Sequence, residues 1–339
     1  MAGQSSVCAI RDSYPVLRDR HPILMCGAVL PTEPVKEVAQ LVFDRALRFR
    51  SSIAFWAHPL CGKSSCIYAL QKLAPAQFPG SAFVVYEPSS KEVAAEGALI
   101  EDLLSTIDYE PRVLRSLAGK RDQLLRALYA MSLAGKHLFL VIDEAQNLHA
   151  KDLGWLKRVV NWLNVHEIKV TVVLFGQMQL CSMHQSFMAE MPDLTIRFMA
   201  ELIEFRSLQD LSDIRAVLAS CDEETEYPQG SGWSYTEYLW PCAHANGFRL
   251  ASCAKDVFEA FRLQSGGAVD SEGISMQWIA EALMLVAQES ERNDVPGLKI
   301  PREVWERAIQ DSGYGGRTPP ALAATAAGRA RSARRARAQ

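Results

Sequence analysis

The chain has 339 residues, 36 Lys+Arg against 39 Asp+Glu, 49% apolar and 22% charged. That balance excludes an intrinsically disordered chain, and without a run of about 18 apolar residues no membrane-spanning helix is expected. The opening residues lack a basic segment followed by an apolar one, so a cytoplasmic protein with no membrane partner is expected.

The net charge of -3 conceals an asymmetry. Gly315 to Gln339 holds Arg317, Arg329, Arg331, Arg334, Arg335 and Arg337 and no acid, which leaves residues 1–314 at -9. Eight cysteines are scattered with no Cys-x-x-Cys pair, as free thiols of a reducing compartment would be. Cys242, His244 and Cys253 lie close in sequence, but their spacing matches no zinc pattern.

Residues 1–33 have turn formers and short apolar patches without a period, and read as an arm. From Pro34 to Arg50, Val35, Val38, Ala39, Val42, Phe43, Ala46 and Leu47 recur at helical spacing, with Pro34 suited to a first turn. Apolar β-rich runs follow at Ser52–Trp56, Ala82–Tyr86, His137–Ile142 and Val170–Phe175, with a weaker one at Leu202–Phe205. Helical stretches separate them: Ser64–Leu73, Glu92–Ile107, Pro111–Ala134 and Leu153–Asn164. Continuous apolar strands alternating with helices predict an α/β fold, a three-layer parallel sheet with right-handed crossovers. From Leu208 on the pattern is helical only (Leu208–Ser220, Ser234–His244, Leu250–Leu263, Met276–Gln288, Arg302–Ile309). A small all-helical domain over 208–312 is expected. Residues 313–339 read as a disordered basic tail.

The first strand runs into Ala57-His58-Pro59-Leu60-Cys61-Gly62-Lys63-Ser64-Ser65. Against G-x-x-x-x-G-K-[ST], only the first position departs, where Ala57 replaces glycine and is expected to distort the entry turn. A tight strand-to-helix loop turns backbone N–H groups towards a polyphosphate, and the helix N-terminus adds positive potential. Lys63 then neutralises β and γ oxygens, and the Ser64 hydroxyl ligates Mg²⁺, so ATP with Mg²⁺ is the expected cofactor. The alternative is a vestigial loop. The third strand ends in Asp143-Glu144. Asp143 is expected in the Mg²⁺ shell and Glu144 as the group that activates the attacking water; the alternative is a pair that caps the next helix. Adjacent Asp-Glu favours ATP hydrolysis. After the fourth strand, Gln177 is the candidate γ-phosphate sensor. An arginine from a neighbouring subunit completes such sites, and Arg197 is preferred over Arg206.

The tail of the third strand, FLVIDEAQNL, then a helix and TVVLFGQMQL, resembles the AAA+ ATPases of the TnsC/TniB group that regulate bacterial transposition, related to MuB and to ExeA-type secretion ATPases. The similarity runs over about Pro34 to Leu263. It implies an AAA+ P-loop core over 34–207 with a helical lid, and an ATP-dependent homo-oligomer, ring or filament, on double-stranded DNA. It also implies a transposase partner and a TniQ-like target-selection partner. Arg249, in Asn246-Gly247-Phe248-Arg249-Leu250, matches the position of a second sensor. In that family the DNA channel is lined by helix starts on the side where Arg112, Arg115, Lys120, Arg121 and Lys151 fall. The alternatives are a DEAQ-type secretion or assembly motor, another nucleic-acid ATPase such as a replication initiator, and a binding protein with a decayed P-loop. The basic tail matches no motif of the family; a DNA tether and a docking peptide are its two readings.

Overall fold

The structure, a computed structural model, describes residues 15–48, 52–90, 93–265, 269 and 273–314. The expectations for the first 14 residues, for Cys8 and for the tail from residue 315 lie outside these.

Two compact units form. Among the described residues, those of 34–206 make one; those up to 33 together with those from 207 on make the other. The first contains a five-stranded parallel sheet: β1 (Ser52–Ala57), β2 (Ala82–Tyr86), β3 (His137–Ile142), β4 (Lys169–Gln177) and β5 (Leu202–Phe205) in the order β2-β3-β4-β1-β5. Every pairing is parallel, with Ala57 opposite Gln177 and Ile142 opposite Leu174. All six residues of β3 are buried, as both faces of a covered sheet require. Alternation along the strands divides the core. Ile53, Phe55, Phe139, Val141, Val173 and Phe175 face a layer formed by α2 (Glu33–Leu47) and α3 (Lys63–Gln77). Ala54, Leu138, Leu140, Ile142, Val172 and Leu174 face α4 (Glu96–Thr106), α5 (Leu117–Ser132) and α6 (Ala150–Val165). The apolar stripe expected on α2 is buried from Val35 to Ala46, while Leu47, its last expected member, is exposed at the end of the helix.

Local chemistry moved several expected boundaries. α5 starts at Leu117, not near Pro111, because Ser116 caps it by accepting from the Gly119 N–H. Between β4 and β5, where no helix was expected, lie α7 (Gln179–Glu190) and α8 (Pro192–Met199). α7 buries only Leu180, so it lacks the apolar stripe that announces a helix. α8 carries Pro192 at its first turn.

The other unit holds α1 (Pro15–Asp19), α9 (Leu211–Glu223), α10 (Tyr235–Leu239), α11 (Pro241–Ala245), α12 (Ala254–Ser265), α13 (Met276–Ser290) and α14 (Arg302–Asp311). Pro241 divides the single helix expected over Ser234–His244, since its ring cannot continue the helix from Trp240. Ile23 and Leu30 join the core of this unit with Trp240, Phe261, Val286 and Trp305. At the other end of the described chain, Tyr314 is edge-on to Phe261, with ring centroids 4.9 Å apart. None of the described helices is long and apolar enough to cross a membrane.

His21 is fully buried among Tyr227, Tyr235 and Tyr238, with ring centroids 4.8–5.1 Å away. Its Nδ1 accepts from the Ile23 N–H, and its Nε2 has no hydrogen-bond partner. Burial pushes the imidazole down to about 3, against about 6.5 in an unfolded chain. The folded value is depressed, so the unfolded chain takes the proton first. The stability of the neutral ring is intact above about pH 6.5 and is lost as pH falls from there towards 3. Urea unfolding at pH 7 and pH 5 is expected to give the wild type about 2 kcal/mol more loss than His21→Phe, which keeps a ring but cannot titrate. Equal losses would remove the role given to His21.

Candidate active site

Ala57 is the last residue of β1 and is buried, and its φ lies outside the left-handed region. The entry turn is therefore not distorted: glycine's freedom is not needed at a residue still held in the sheet. The left-handed positions come later, at Leu60 (φ 66°) and Gly62 (φ 96°). Alternation of this kind builds the backbone concavities that hold anions. Gly62 caps α3, and Lys63, Ser64 and Ser65 form its first turn, which holds no acid. The ring of His58 is edge-on to Trp56, and Pro59 and Leu60 are exposed. Cys61 is buried; burial pushes its thiol up to about 11, so it stays neutral at pH 7.

The Lys63 ammonium lies 2.9 Å from Asp143 Oδ1 and pairs also with Glu144 Oε1. Burial pulls this ammonium down, but the two carboxylates outweigh burial and the net shift is upward. Asp143 is fixed by its N–H to the Tyr86 carbonyl and by its Oδ1, which accepts the Glu144 N–H, both 2.9 Å. Glu144 itself sits at φ 53°, ψ 42°, a conformation that costs a non-glycine residue about 1–2 kcal/mol. Burial pushes its carboxyl up; hydrogen bonds from Lys63, Gln146 and Gln177 outweigh that and leave it below the ordinary carboxylate range. Gln177, at the end of β4, donates from Nε2 to Glu144 Oε2 at 2.9 Å. Lys63, Asp143, Glu144 and Gln177 thus meet at the C-terminal ends of β1, β3 and β4, and Gln146 joins them. Its signal in the sequence was the last letter of Asp-Glu-Ala-Gln, to which no role was attached.

Arg197 lies elsewhere in this unit. On α8, its Nη2 donates to Asn161 Oδ1 at 2.6 Å. With Lys157, Lys169 and Ser52 it lines a cleft of about 1000 Å³, and burial lowers its pKa. Ser52 and Lys169 begin β1 and β4. The cleft is therefore at the opposite end of the strands from Gln177, about 25 Å along β4. Arg206 pairs with Glu37 at 2.8 Å. In the helical unit, Arg249 donates to the carbonyls of His244 and Phe248 at 3.0 and 2.7 Å and precedes a short 3₁₀ turn, Leu250–Cys253.

Of the basic residues expected near DNA, Arg112 and Arg115 are exposed in the loop before α5, and Lys151 is exposed in the first turn of α6. Lys120 pairs with Glu101. Arg121 makes two hydrogen bonds to Glu96, at 2.7 and 2.6 Å, and Arg158 reaches the same carboxylate at 3.0 Å. Among the described residues no group of three or more His, Cys, Asp or Glu side chains could hold a metal, and their seven cysteines are free.

The strand order, the loop after β1 and the acidic pair after β3 define an α/β P-loop fold. Residues 48–183 match the family model described as AAA domain. Among solved structures, the chain is similar to the ORC2 protein of Aeropyrum pernix in ADPNP-ADP complexes, at 12% identity and TM-score 0.55, covering 86% of this chain and 71% of that one. It is also similar to Cdc6p of Pyrobaculum aerophilum, at 14% identity and TM-score 0.50, covering 77% of this chain and 63% of that one. No curated protein matches. These structural likenesses carry the fold.

Because Ala57 has ordinary strand geometry, restoring the motif's glycine is expected to be harmful. Ala57→Gly should lower unfolding free energy by about 0.5–1 kcal/mol and leave nucleotide affinity unchanged in a fluorescence titration. A gain in affinity would mean that the alanine does distort the loop.

Proposed function

We propose that this protein is a DNA-associated AAA+ ATPase whose hydrolysis cycle is completed between subunits, and that it regulates transposition. The observation that carries the ATPase reading is the meeting of Lys63, Asp143, Glu144 and Gln177 at one end of the sheet. The loop from His58 to Ser65 wraps the triphosphate, and Lys63 neutralises its β and γ oxygens. Asp143 and Ser64 offer one carboxylate and one hydroxyl, the donors that Mg²⁺ uses beside phosphate oxygens, so these residues fit the ion. Mg²⁺, when bound, neutralises phosphate charge. Glu144 takes the proton of the attacking water, and Gln177, hydrogen-bonded to it, reports the γ-phosphate. Arg197 serves the neighbouring subunit's site, a role that its distance from its own Lys63 supports. Arg249 acts as the second sensor.

The transposition reading rests on the FLVIDEAQNL and TVVLFGQMQL segments and their resemblance to TnsC/TniB regulators. Duplex DNA is met by Arg112, Arg115 and Lys151, and by Lys120 and Arg121 where their carboxylate partners yield. A transposase and a TniQ-like target selector are the protein partners, and a ring or helical filament is the assembly. A replication-initiator role is the second reading, favoured by the ORC2 and Cdc6p folds. Assembly on DNA of arbitrary sequence, with activation of a transposase, separates the first from the second.

Glu144→Gln is expected to cut ATP turnover by at least about a hundredfold while ATP-dependent oligomers persist longer on a sizing column. Turnover at the wild-type rate would exclude Glu144 as the base. Subunits with Arg197→Ala mixed with subunits with Lys63→Ala should recover part of the lost hydrolysis, because each lacks a different half of one composite site. Absence of recovery, with both variants assembling, would turn attention to Arg206.

A further inference from the structure

Gln146 occupies the gap between Glu144 and β4. Its Oε1 accepts the backbone N–H of Gln177 at 3.0 Å, and its Nε2 donates to Glu144 Oε2. The direction of the amide is not free. A backbone N–H can only donate, so the carbonyl end must face Gln177 and the NH₂ end is left for the carboxylate. The same Glu144 oxygen accepts Gln177 Nε2 at 2.9 Å. A closed circuit results: Glu144 carboxylate, Gln146 amide, Gln177 backbone, Gln177 side chain, and back to Glu144.

The neighbouring glycine bears this out sterically. A Cβ on Gly176 would lie 2.8 Å from Gln146 Oε1 and 2.9–3.0 Å from Leu180. Gly176 has an ordinary φ, since it is not among the positive-φ residues. Space taken by the side chains of Gln146 and Leu180, then, and not backbone freedom, is what excludes a side chain at 176. Two segments about 30 residues apart, Asp-Glu-Ala-Gln and Gly-Gln, are in this way one device.

We propose that Gln146 is a positioning residue: it couples the carboxylate of Glu144 to the end of β4, so that the water-activating group and the phosphate-facing amide of Gln177 are held in one fixed relation. The inference rests on the roles given above to Glu144 and Gln177. Glu144 stands on a left-handed backbone two residues beyond the end of β3, where Lys63 and Gln177 reach its carboxylate only through the tips of their side chains. The amide of Gln146 adds a restraint that ties this carboxylate to the backbone of β4.

The test uses the full-length protein, ATP and duplex DNA. Gln146→Met keeps the length and most of the volume of the side chain but makes neither hydrogen bond; Gln146→Ala removes both hydrogen bonds and the bulk. Both are expected to lower kcat by about tenfold or more, with nucleotide Kd within about threefold of wild type and an unchanged thermal midpoint. Gly176→Ala should lower kcat in the wild-type background. In the Gln146→Ala background it should add a smaller loss than it causes in the wild type, because the nearest atom it would strike is gone while the contact with Leu180 remains. Wild-type turnover by Gln146→Met and Gln146→Ala would overturn the proposal, as would losses in kcat that track losses in nucleotide affinity and thermal midpoint. Glu144→Gln is run in parallel. If it alone fails to slow hydrolysis, the base assignment falls and the coupling falls with it. If it abolishes hydrolysis while both Gln146 variants are normal, only the coupling is refuted.

Discussion

A single ammonium ties the first unit's site together. Lys63 projects from the start of α3 and is held by two carboxylates that follow β3. That bridge joins a loop after one strand to a turn after another, and it works only if β1 and β3 end at the same level. Their levels are set through β4, which pairs with both. A one-residue slip in either ladder would move the carboxylates by a strand residue, about 3.3 Å, and put their side chains on the wrong face. The apolar residues that prevent such a slip, Phe55, Phe139, Val141, Val173 and Phe175, are therefore as necessary to the site as the polar residues that occupy it.

Electrostatics reinforces this geometry. Each of Lys63, Asp143 and Glu144 is partly buried, and each alone would be expensive to hold in its charged form. Together with two amides they satisfy one another: Lys63 is stabilised as the ammonium and Glu144 as the carboxylate, against the pull of burial in both cases. The Lys63 cation and the Glu144 anion are retained at neutral pH by mutual contact, and the site is polar although the strands that end in it are mostly apolar.

Much of this was legible in the sequence. The five strands were read because continuous apolar runs of β-branched and aromatic residues have no other comfortable home, and the loop after β1 because Gly-Lys-Ser stood between such a run and a helix. What escaped was information held by tertiary contact. α7 hides only Leu180, so its periodicity is faint. The tolerance for Ala57 depends on how far β1 extends, which is decided by pairing with β4 and β5 and not by the loop's own residues. Gln146 gave no sign of its position because its partner is the backbone of a residue 31 positions away. Lys120 and Arg121 looked available as basic residues, and the acids that hold them, Glu101 and Glu96, come from another helix.

The helical unit is discontinuous in sequence: the P-loop unit, 34–206, is inserted between its two parts. Ile23 and Leu30 belong to a core whose other members begin at Leu208 and run to Ile309, and the Tyr227 hydroxyl donates to the Leu17 carbonyl at 2.6 Å. On the ribosome the consequence is an order of events. The inserted sheet has all its strands once Phe205 has emerged, and it can close while the helical unit is still missing most of its chain. The segment around His21, made first, must wait through some 200 residues of synthesis for the tyrosines that enclose it, at about 5–20 residues per second. Until then its apolar side chains are solvated, and a segment translated before the sheet is buried after it.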